Sequence, residues 1–308
     1  MSRPRIPIDA MLLLMAFIWG SNYSIVKSAF DDVPAHPFNA ARLAIASVIF
    51  LALIILARRV RVPSVFYTPA PITRADWLRL VGLGVVGHFL YQIFFIGGLA
   101  RTSVANSSLL LAATPVAIAV ASAALGREAI GRWHWIGGAI SLAGIYLVVG
   151  RGAGLSSDTL TGDLMVVGAV ACWTVYTLGA GRLMERHSPL GVTGLSMAIG
   201  SALYVPVMWP PIAAVEWSVL NATTWIKIVY SAVFALCVAY MIWYAAVQRI
   251  GSARTSVYSN IIPIVALVVA SVWLGEPLGV VKIVGAALVL AGVALMRVGP
   301  RWIVPRAA

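Results

Sequence analysis

Ten consecutive apolar segments of about twenty residues each occupy most of the chain, and no other feature of the sequence constrains the fold more strongly. A helix of about 20 apolar residues crosses the roughly 30 Å hydrocarbon core of a bilayer. Hydrophobic residues make up 61% of the chain and charged residues 10%, unlike a soluble globular domain. The sequence therefore predicts an all-α integral membrane protein and excludes an ordinary cytoplasmic enzyme. The predicted spans 1 to 10 are 8–28, 38–57, 77–98, 103–125, 132–150, 163–182, 190–209, 225–247, 252–274 and 278–297.

The second five spans repeat the first five. Asp9, Met11 and Trp19 recur 154 residues later as Asp163, Met165 and Trp173. In the later spans the offset is 148, and it relates Arg101 to Arg249, Pro115 to Pro263, Glu128 to Glu276, Gly137 to Gly285 and Gly144 to Gly292. A block of five spans copied in tandem must enter the bilayer from opposite sides. The sequence thus predicts ten transmembrane helices arranged as two inverted five-helix repeats, residues 1–150 and 151–308.

The charge distribution sets the expected orientation. With the N-terminus in the cytoplasm, sixteen of the 22 Lys and Arg residues lie on the inner side, together with four of the ten acidic residues. This positive-inside bias accounts for the net charge of +12 without a nucleic-acid partner. Both termini are expected in the cytoplasm, with Glu128 on the inner face and Glu276 on the outer face.

Several short patterns carry a family resemblance. They are Trp19-Gly20-Ser21 with Lys27 on span 1, Phe38 to Arg42 on span 2, Ser103 to Pro115 followed by Gly126-Arg127-Glu128, and Gly251 to Pro263 followed by Gly275-Glu276. These patterns resemble the drug/metabolite transporter superfamily, and within it the EamA-type bacterial exporters with two five-helix repeats. The interior rich in Trp and Tyr is similar to that of the YddG-type aromatic amino-acid exporters. The resemblance implies a multi-pass protein of the bacterial inner (plasma) membrane.

A substrate site is expected near mid-membrane between the repeats, where polar and aromatic side chains lie away from the interfaces. Aromatic rings there stack on an apolar substrate and hold an ammonium group, so a small amphipathic zwitterion would fit. Gln92 and Thr114 lie on the same spans. The substrate-binding candidates are Trp19, Asn22, Tyr23, His88, Tyr91, Asn106, Trp173, Tyr176, Tyr240, Trp243, Tyr244, Tyr258 and Asn260.

Each candidate also has a structural interpretation. Aromatic residues in membrane helices often form interfacial belts, which is the prediction for Trp209, Trp217, Trp225 and Trp302. A buried Asn often bonds a neighbouring helix, and a lone His such as His88 is usually a satisfied core group. No metal-ligand spacing and no cofactor motif accompany these residues, so neither a metal nor a cofactor is expected.

Pro115 and Pro263 lie near the centres of equivalent spans. A proline there leaves a carbonyl unbonded and bends the helix. The hypothesis is that both are hinges, and the alternative is that they only shape the cavity. The small-residue faces around Gly137 and Gly144 and their copies on span 10 are interpreted as structural, within each repeat or at a dimer contact. The protein is expected to be a monomer or a homodimer.

The acidic residues lie at or near the predicted span ends, so no mid-membrane carboxylate is expected as a proton relay. Lys27 and His88 are the titratable groups expected to reach a cavity, and Arg42 is placed near the outer end of span 2. These features favour a facilitator that exports small amphipathic metabolites, most of all aromatic or neutral amino acids, by alternating access. Its partners would be a small-molecule substrate and the lipid bilayer.

Other functions rank below this one. They are a drug or other metabolite exporter, including a proton-coupled one, and a nucleotide-sugar or phosphometabolite carrier, which needs a convergent Lys/Arg clamp. A channel or a membrane enzyme ranks lower still. The enzyme would need an acidic metal motif or a His/Asp/Ser constellation, and the sequence has neither.

Overall fold

A computed structural model describes residues 8–126, 131–151 and 157–298. Within these ranges the chain is helical and contains no named β-strand, and an isolated β-bridge joins Ser64 and Tyr67. The main helices are α1 (Ile8–Ala29), α2 (Ala35–Val60), α3 (Arg74–Arg101), α4 (Val104–Ala124), α5 (Arg132–Arg151), α6 (Ser157–Leu183), α7 (Pro189–Val207), α8 (Ala222–Ile250), α9 (252–274) and α10 (Val280–Val298).

Helices α1 to α4 and α6 to α8 are long and apolar enough to cross a membrane. Helices α5, α9 and α10 contain shorter apolar stretches, namely Trp135–Gly144, Tyr258–Leu274 and Val280–Gly292. Many large apolar side chains on the outside of the bundle are exposed, among them Phe17 and Val272, as expected for a lipid-facing surface. The prediction of an all-helical protein with membrane-spanning helices is confirmed.

Several helices begin before the predicted spans because polar caps, rather than hydropathy, define their ends. Thr73 caps α3, and its hydroxyl accepts the backbone N–H of Asp76 while the Asp76 carboxylate accepts the backbone N–H of Thr73. Asn221 caps α8 and accepts the backbone N–H of Thr224 at 2.8 Å. The predicted starts at 77 and 225 were therefore three residues too late.

Four helices are interrupted. Helices α3 and α8 each contain a π-helical segment, Val85–Leu90 and Ser231–Val238. Helix α4 breaks at Ala112 and Ala113, and α9 passes through a 3₁₀ turn at Val257–Asn260. Such interruptions are frequent at functional sites, because they redirect side chains and free backbone groups.

Helix packing brings the two halves of the chain together. Helix α5 packs against α10, α2 against α7, α3 against α6, and α1 against both α8 and α9. A Cβ atom added to Gly144 would lie 2.6 Å from the Gly285 carbonyl oxygen, and one added to Gly292 would lie 2.4 Å from that of Gly137. The small-residue faces therefore join α5 to α10 within one chain. This corrects the expectation of a contact within each repeat or between two subunits.

Some sequence predictions fall on residues that the structure does not describe. Glu128, predicted on the inner face, and Trp302, predicted in an aromatic belt, lie outside the described ranges. Of the other belt residues, Trp209 and Trp225 are exposed and Trp217 is partly exposed. All three lie in or beside the connection between α7 and α8, which includes the short helix Trp209–Ala213.

Candidate functional site

A cavity lies among the helices of the bundle, and its empty volume, which includes space open to solvent, is about 690 Å³. Small-molecule sites are typically concave and mostly apolar with a few polar side chains, and this cavity has that character. Helices α1, α2, α3, α4, α6, α8 and α9 all contribute to its wall. The lining residues are Trp19, Asn22, Tyr23, Arg42, Tyr91, Gln92, Phe95, Ser108, Leu111, Ala112, Thr114, Trp173, Ala235, Leu236, Tyr240, Trp243, Ser259 and Ile262.

Four aromatic residues, Trp19, Trp173, Tyr240 and Trp243, form what we call the aromatic wall. The ring centroid of Trp19 lies 5.7 Å from that of Trp173 and 5.5 Å from that of Trp243. Trp173 and Tyr240 meet edge to face with centroids 5.4 Å apart. The Trp19 indole also donates a 2.9 Å hydrogen bond to the Ala235 carbonyl. These contacts fix the rings before any substrate arrives, which lowers the entropic cost of binding.

The polar part of the cavity lining centres on Arg42 of α2. Its guanidinium donates to Asn39 Oδ1 at 2.7 Å, to Ser231 Oγ at 2.9 Å and to Gln92 Oε1 at 3.0 Å. Arg42 is 1% exposed. It begins the third turn of α2, because the helix starts at Ala35. The sequence placed it near the outer end of span 2, and the structure adds that the side chain is buried and lines the cavity.

Seven of the thirteen predicted site residues line this cavity, and the prediction that they contact a substrate remains a prediction. They are Trp19, Asn22, Tyr23, Tyr91, Trp173, Tyr240 and Trp243.

Three other candidates, His88, Tyr176 and Tyr244, form a second layer behind the aromatic wall. His88 Nε2 lies 2.9 Å from the Tyr176 hydroxyl, which lies 2.9 Å from Ser196 Oγ. The rings of Tyr176 and Tyr244 meet edge to face at 5.5 Å. All three side chains are fully buried. His88 does not line the cavity in this structure, since Tyr176 and Tyr240 pack against its ring, and its role in transport remains a prediction.

The remaining candidates do not line the cavity. Asn106 donates to the Asp163 carboxylate at 3.4 Å, and the Tyr258 hydroxyl donates to Asp9. Asn260 is buried beside the break in α9. Asn106 and Tyr258 instead join α4 to α6 and α9 to α1.

Lys27 also does not line the cavity, contrary to expectation. Its ammonium donates to the carbonyl oxygens of Leu99 at 2.7 Å, Ala100 at 3.1 Å and Thr102 at 2.9 Å. These carbonyls belong to the C-terminal end of α3, where a cation is stabilised by the helix dipole. Lys27 therefore fastens α1 to the end of α3.

Asp163 lies deeper than predicted. Helix α6 begins at Ser157, so the carboxylate of Asp163 is about a turn and a half inside the helix, and the residue is 4% exposed. Thr102 donates to it at 2.7 Å. Asp163 does not line the cavity, and none of the lining residues is acidic. No group of three potential metal ligands occurs among the described residues.

The two predicted hinge prolines lie directly after the helix interruptions. Pro115 is the second residue of the helix Thr114–Ala124, which follows the break in α4. Pro263 is the third residue of Ile261–Leu274, which follows the 3₁₀ turn of α9. Thr114 and Ile262, which precede the prolines, both line the cavity. Each break therefore lies at the depth of the cavity, because the residue before each proline forms part of the wall.

Ten of the lining residues form pairs related by the repeat offsets. These pairs are Trp19 with Trp173, Gln92 with Tyr240, Phe95 with Trp243, Leu111 with Ser259, and Thr114 with Ile262. Sequence reasoning did not select Phe95, Ser108 or Ser259 as site residues. The offset alone would have found Phe95, because it is the repeat partner of Trp243.

Comparison with known proteins gives one family. The profile of the EamA-like transporter family matches twice, over residues 6–150 and 160–298. The uncharacterized transporter YyaM of Bacillus subtilis is 25% identical over 93% of this chain and 92% of its own length. A protein of Streptantibioticus cattleyicolor named as a probable terminal-alkyne amino-acid exporter is 29% identical over 92% of this chain and 91% of its own. A crystal structure at 22% identity has a TM-score of 0.67, covers 93% of this chain and 96% of its own, and shares the fold.

Proposed function

We propose that the chain, which belongs to the EamA-like transporter family, exports small amphipathic metabolites, mainly aromatic and neutral amino acids, by alternating access. The observation that carries this proposal is the aromatic wall of the central cavity, which both halves of the chain build. Ring faces and edges bind apolar side chains and also ammonium groups. The amino-acid exporter among the relatives supports the same substrate class.

An inverted pair of five-helix repeats would give this cavity two alternating openings. The five pairs of lining residues support it, because equivalent residues meet around one cavity when a two-fold axis passes through it. The reciprocal approach of Gly144 to Gly285 and of Gly292 to Gly137 supports the same axis. With the α5–α10 contact inside one chain, we propose that a monomer suffices for transport.

Local structure recurs at the same offset. The caps Thr73 and Asn221 are 148 residues apart. Shifted by 148 residues, the π-helical segment Val85–Leu90 falls within Ser231–Val238. Hydropathy does not require either feature, so their recurrence supports a duplicated unit.

We further propose a bacterial inner membrane as the location, with both termini in the cytoplasm. In this orientation Arg58, Arg59 and Arg61 at the end of α2 face the cytoplasm, and all three are at least partly exposed. The buried Asp76 on the same side pairs with Arg79 and Arg186, each at 3.6 Å. The ion pair with Arg186 joins the start of α3 to the segment that follows α6 at the inner end of the bundle.

For energy coupling we propose a facilitator driven by the substrate gradient, because none of the described residues that line the cavity is acidic. A second candidate, a proton-coupled exporter of drugs or other metabolites, is favoured by the buried carboxylate of Asp163. Proteoliposomes distinguish the two. If the protein is a facilitator, counterflow should occur without a proton gradient, and this counterflow should persist in the Asp163→Asn variant. Strict dependence on an imposed gradient, lost in Asp163→Asn, would support the coupled exporter.

The substrate class is tested by counterflow in proteoliposomes with aromatic, branched and small amino acids, a quaternary ammonium drug and a nucleotide sugar. We expect aromatic amino acids to compete most strongly. Trp19→Ala and Trp243→Ala should each reduce transport roughly tenfold or more, because each removes a fixed ring of the aromatic wall. Trp135→Ala is the matched control, since Trp135 is 59% exposed on α5. Equal loss in all three variants, or preferred transport of the nucleotide sugar, would overturn the proposal.

A further inference from the structure

Arg42 is a buried cation that has no anionic partner among the described residues. All three of its hydrogen bonds go to neutral oxygens, of Asn39, Gln92 and Ser231. The four ion pairs of the described chain lie elsewhere, centred on Asp76 and Asp32. A charge removed from water is costly unless it is paired, and neutral hydrogen bonds compensate only part of that cost. The site is therefore electrostatically incomplete.

Arg42 also keeps unused hydrogen-bonding capacity. A guanidinium has five N–H donors in a planar fork, and Arg42 uses three of them in the hydrogen bonds to Asn39, Ser231 and Gln92. Two N–H groups therefore remain for a further acceptor. Arg42 is one of the lining residues, and it is the only Lys or Arg among them. The fork geometry of a guanidinium matches a carboxylate, which accepts two parallel hydrogen bonds.

Two other lining residues carry hydrogen-bond donors that have no acceptor. Gln92 Nε2 and Trp243 Nε1 are buried without a hydrogen-bond partner, and both residues line the cavity. Gln92 is the residue whose amide oxygen accepts from Arg42, so its free amide nitrogen lies next to the guanidinium. The guanidinium of Arg42 and the amide nitrogen of Gln92 therefore form a local excess of donors over acceptors. Such an excess is satisfied by an anionic acceptor.

One unsatisfied group of the cavity lining is an acceptor, and it would bind a positively charged donor. Asn22 Oδ1 is buried without a partner, and Asn22 lines the same cavity. An ammonium group supplies N–H donors to such an oxygen, and the neighbouring ring of Trp19 adds a cation–π contribution. The wall therefore offers separate sites for a negative and a positive group.

We propose that Arg42, assisted by Gln92, is the carboxylate-binding group of the cavity, and that Asn22 receives the ammonium group of the same substrate. This inference rests on the proposed function, and it narrows the substrate class to monocarboxylates with an apolar side chain, zwitterionic amino acids above all. Cationic drugs that lack a carboxylate are excluded, because they would meet an unpaired guanidinium. A single guanidinium also does not form the convergent clamp that a diphosphate requires.

The test compares probes that differ only in the anionic group. Binding of 3-phenylpropionate and of its neutral amide, 3-phenylpropionamide, is measured on the purified full-length protein by tryptophan fluorescence and by thermal shift. Phenylalanine and phenylalaninamide form a second pair. We expect each carboxylate to bind roughly 10- to 100-fold more tightly than its amide, as charge-assisted hydrogen bonds require.

Variants then assign the difference to Arg42. Arg42→Gln should remove the preference for the carboxylate while leaving the affinity for the amide nearly unchanged, and Arg42→Lys should retain part of the preference. Arg59→Gln is the matched control, because it removes the same charge from an exposed position on the same helix. If Arg42→Gln does not fold, equal binding of both members of each pair by the unmodified protein still overturns the inference. A carboxylate preference that is undiminished in Arg42→Lys overturns it as well, and a reduced preference in that variant supports it.

The outcomes separate this inference from the proposed function. Equal binding of both members of each pair by the unmodified protein, or a preference that survives in Arg42→Gln, overturns the role of Arg42. A carboxylate preference that depends on Arg42, without transport of any amino acid, upholds the anion site and overturns amino-acid export. Failure of all four probes to bind overturns both.

Discussion

Individual side chains behind the aromatic wall determine how firmly it is held. Tyr176 bonds both His88 and Ser196, and its ring packs edge to face against Tyr244. Gly87 makes room for that ring, since a Cβ atom added to Gly87 would lie 2.2 Å from Tyr176 Cδ2. Tyr176 thus supports the wall without lining the cavity.

Gly87→Ala is predicted to displace Tyr176. Overpacking of a buried site costs about 1–3 kcal/mol, and we expect a loss of thermal stability of that order together with weaker substrate binding. The control is Gly82→Ala on the same helix, where no atom lies within 4 Å of the added Cβ. This change should be neutral or stabilise the helix by up to about 1 kcal/mol. Equal melting temperatures for the two variants in detergent would contradict the packing argument.

Arg42 and Lys27 show which residue-level features the sequence could predict. Their spans were identified correctly, but their side-chain partners depend on neighbouring helices. Arg42 donates hydrogen bonds to Gln92 and Ser231, 50 and 189 residues away, and no local pattern encodes such contacts. The aromatic wall was easier to predict, because large rings away from the interfaces have few other places to pack.

At the scale of single elements, α4 and α9 are the helices that we propose to bend during transport. Each has a break at the depth of the cavity, and a proline follows each break. Because proline has no backbone N–H, neither proline can bond the carbonyl four residues earlier. The Leu111 carbonyl accepts the Thr114 hydroxyl instead, at 2.6 Å, and the Ser259 carbonyl accepts the backbone N–H of Ile261. We propose that these local bonds let the two halves of each helix tilt at the break.

Pro115→Ala and Pro263→Ala are predicted to slow transport while leaving folding and substrate affinity nearly intact. Alanine restores a regular helix and stiffens the bend, so we expect turnover to fall roughly three- to tenfold. Pro206→Ala in α7 is the control, because α7 has no break before this proline and contributes none of the lining residues. Turnover and affinity are measured by counterflow and ligand titration. Unchanged turnover in both hinge variants would reject the hinge hypothesis.

The interruptions themselves could not be predicted from hydropathy. The segments Val85–Leu90 and Ser231–Val238 are as apolar as their neighbours, and a π-helix leaves no mark in the pattern of hydrophobic residues. Pro115 and Pro263 did point to the broken helices. The presence and approximate limits of the ten apolar segments followed from the sequence because the thickness of a bilayer fixes their length.

At the scale of the whole molecule, the α3–α4 corner is fastened to the end of α9. The Glu276 carboxylate accepts the backbone N–H of Val104 at 2.9 Å and of Ala105 at 3.3 Å. A carboxylate at the N-terminal end of a helix is stabilised by the helix dipole. In the proposed orientation this contact lies on the outer side of the bundle, and we propose that it breaks when the cavity opens outward.

Glu276→Gln is predicted to favour the outward-open state. Loss of the charge weakens the contact by about 1 kcal/mol at this partly exposed site, which corresponds to a roughly fivefold population shift. A membrane-impermeant maleimide should therefore label Ser259→Cys, which lines the cavity, several-fold faster from outside. Glu216→Gln, a change in the α7–α8 connection away from this contact, is the control. Labelling rates that do not differ between the two variants would argue against an outer closure at Glu276.

The global arrangement was predictable as far as the repeat is visible in the sequence. Pairs such as Gly144 and Gly292 share one offset, and this spacing alone indicates equivalent helices in the two halves. Which equivalent helices pack together was not predictable. The sequence placed the small residues within each repeat or at a dimer contact, whereas the structure packs α5 on α10.

The proposed transport mechanism requires that the two halves of the chain have opposite orientations in the membrane, and site-directed labelling distinguishes this topology from a parallel one. Gly131 and Gly279 are 148 residues apart, just before α5 and α10. Each is replaced by cysteine in a background where the buried Cys172 and Cys237 are alanine. We predict that a membrane-impermeant maleimide labels Gly279→Cys in intact cells and Gly131→Cys only after permeabilisation. Labelling of both positions from the same side would contradict the inverted repeat and the alternating access that depends on it.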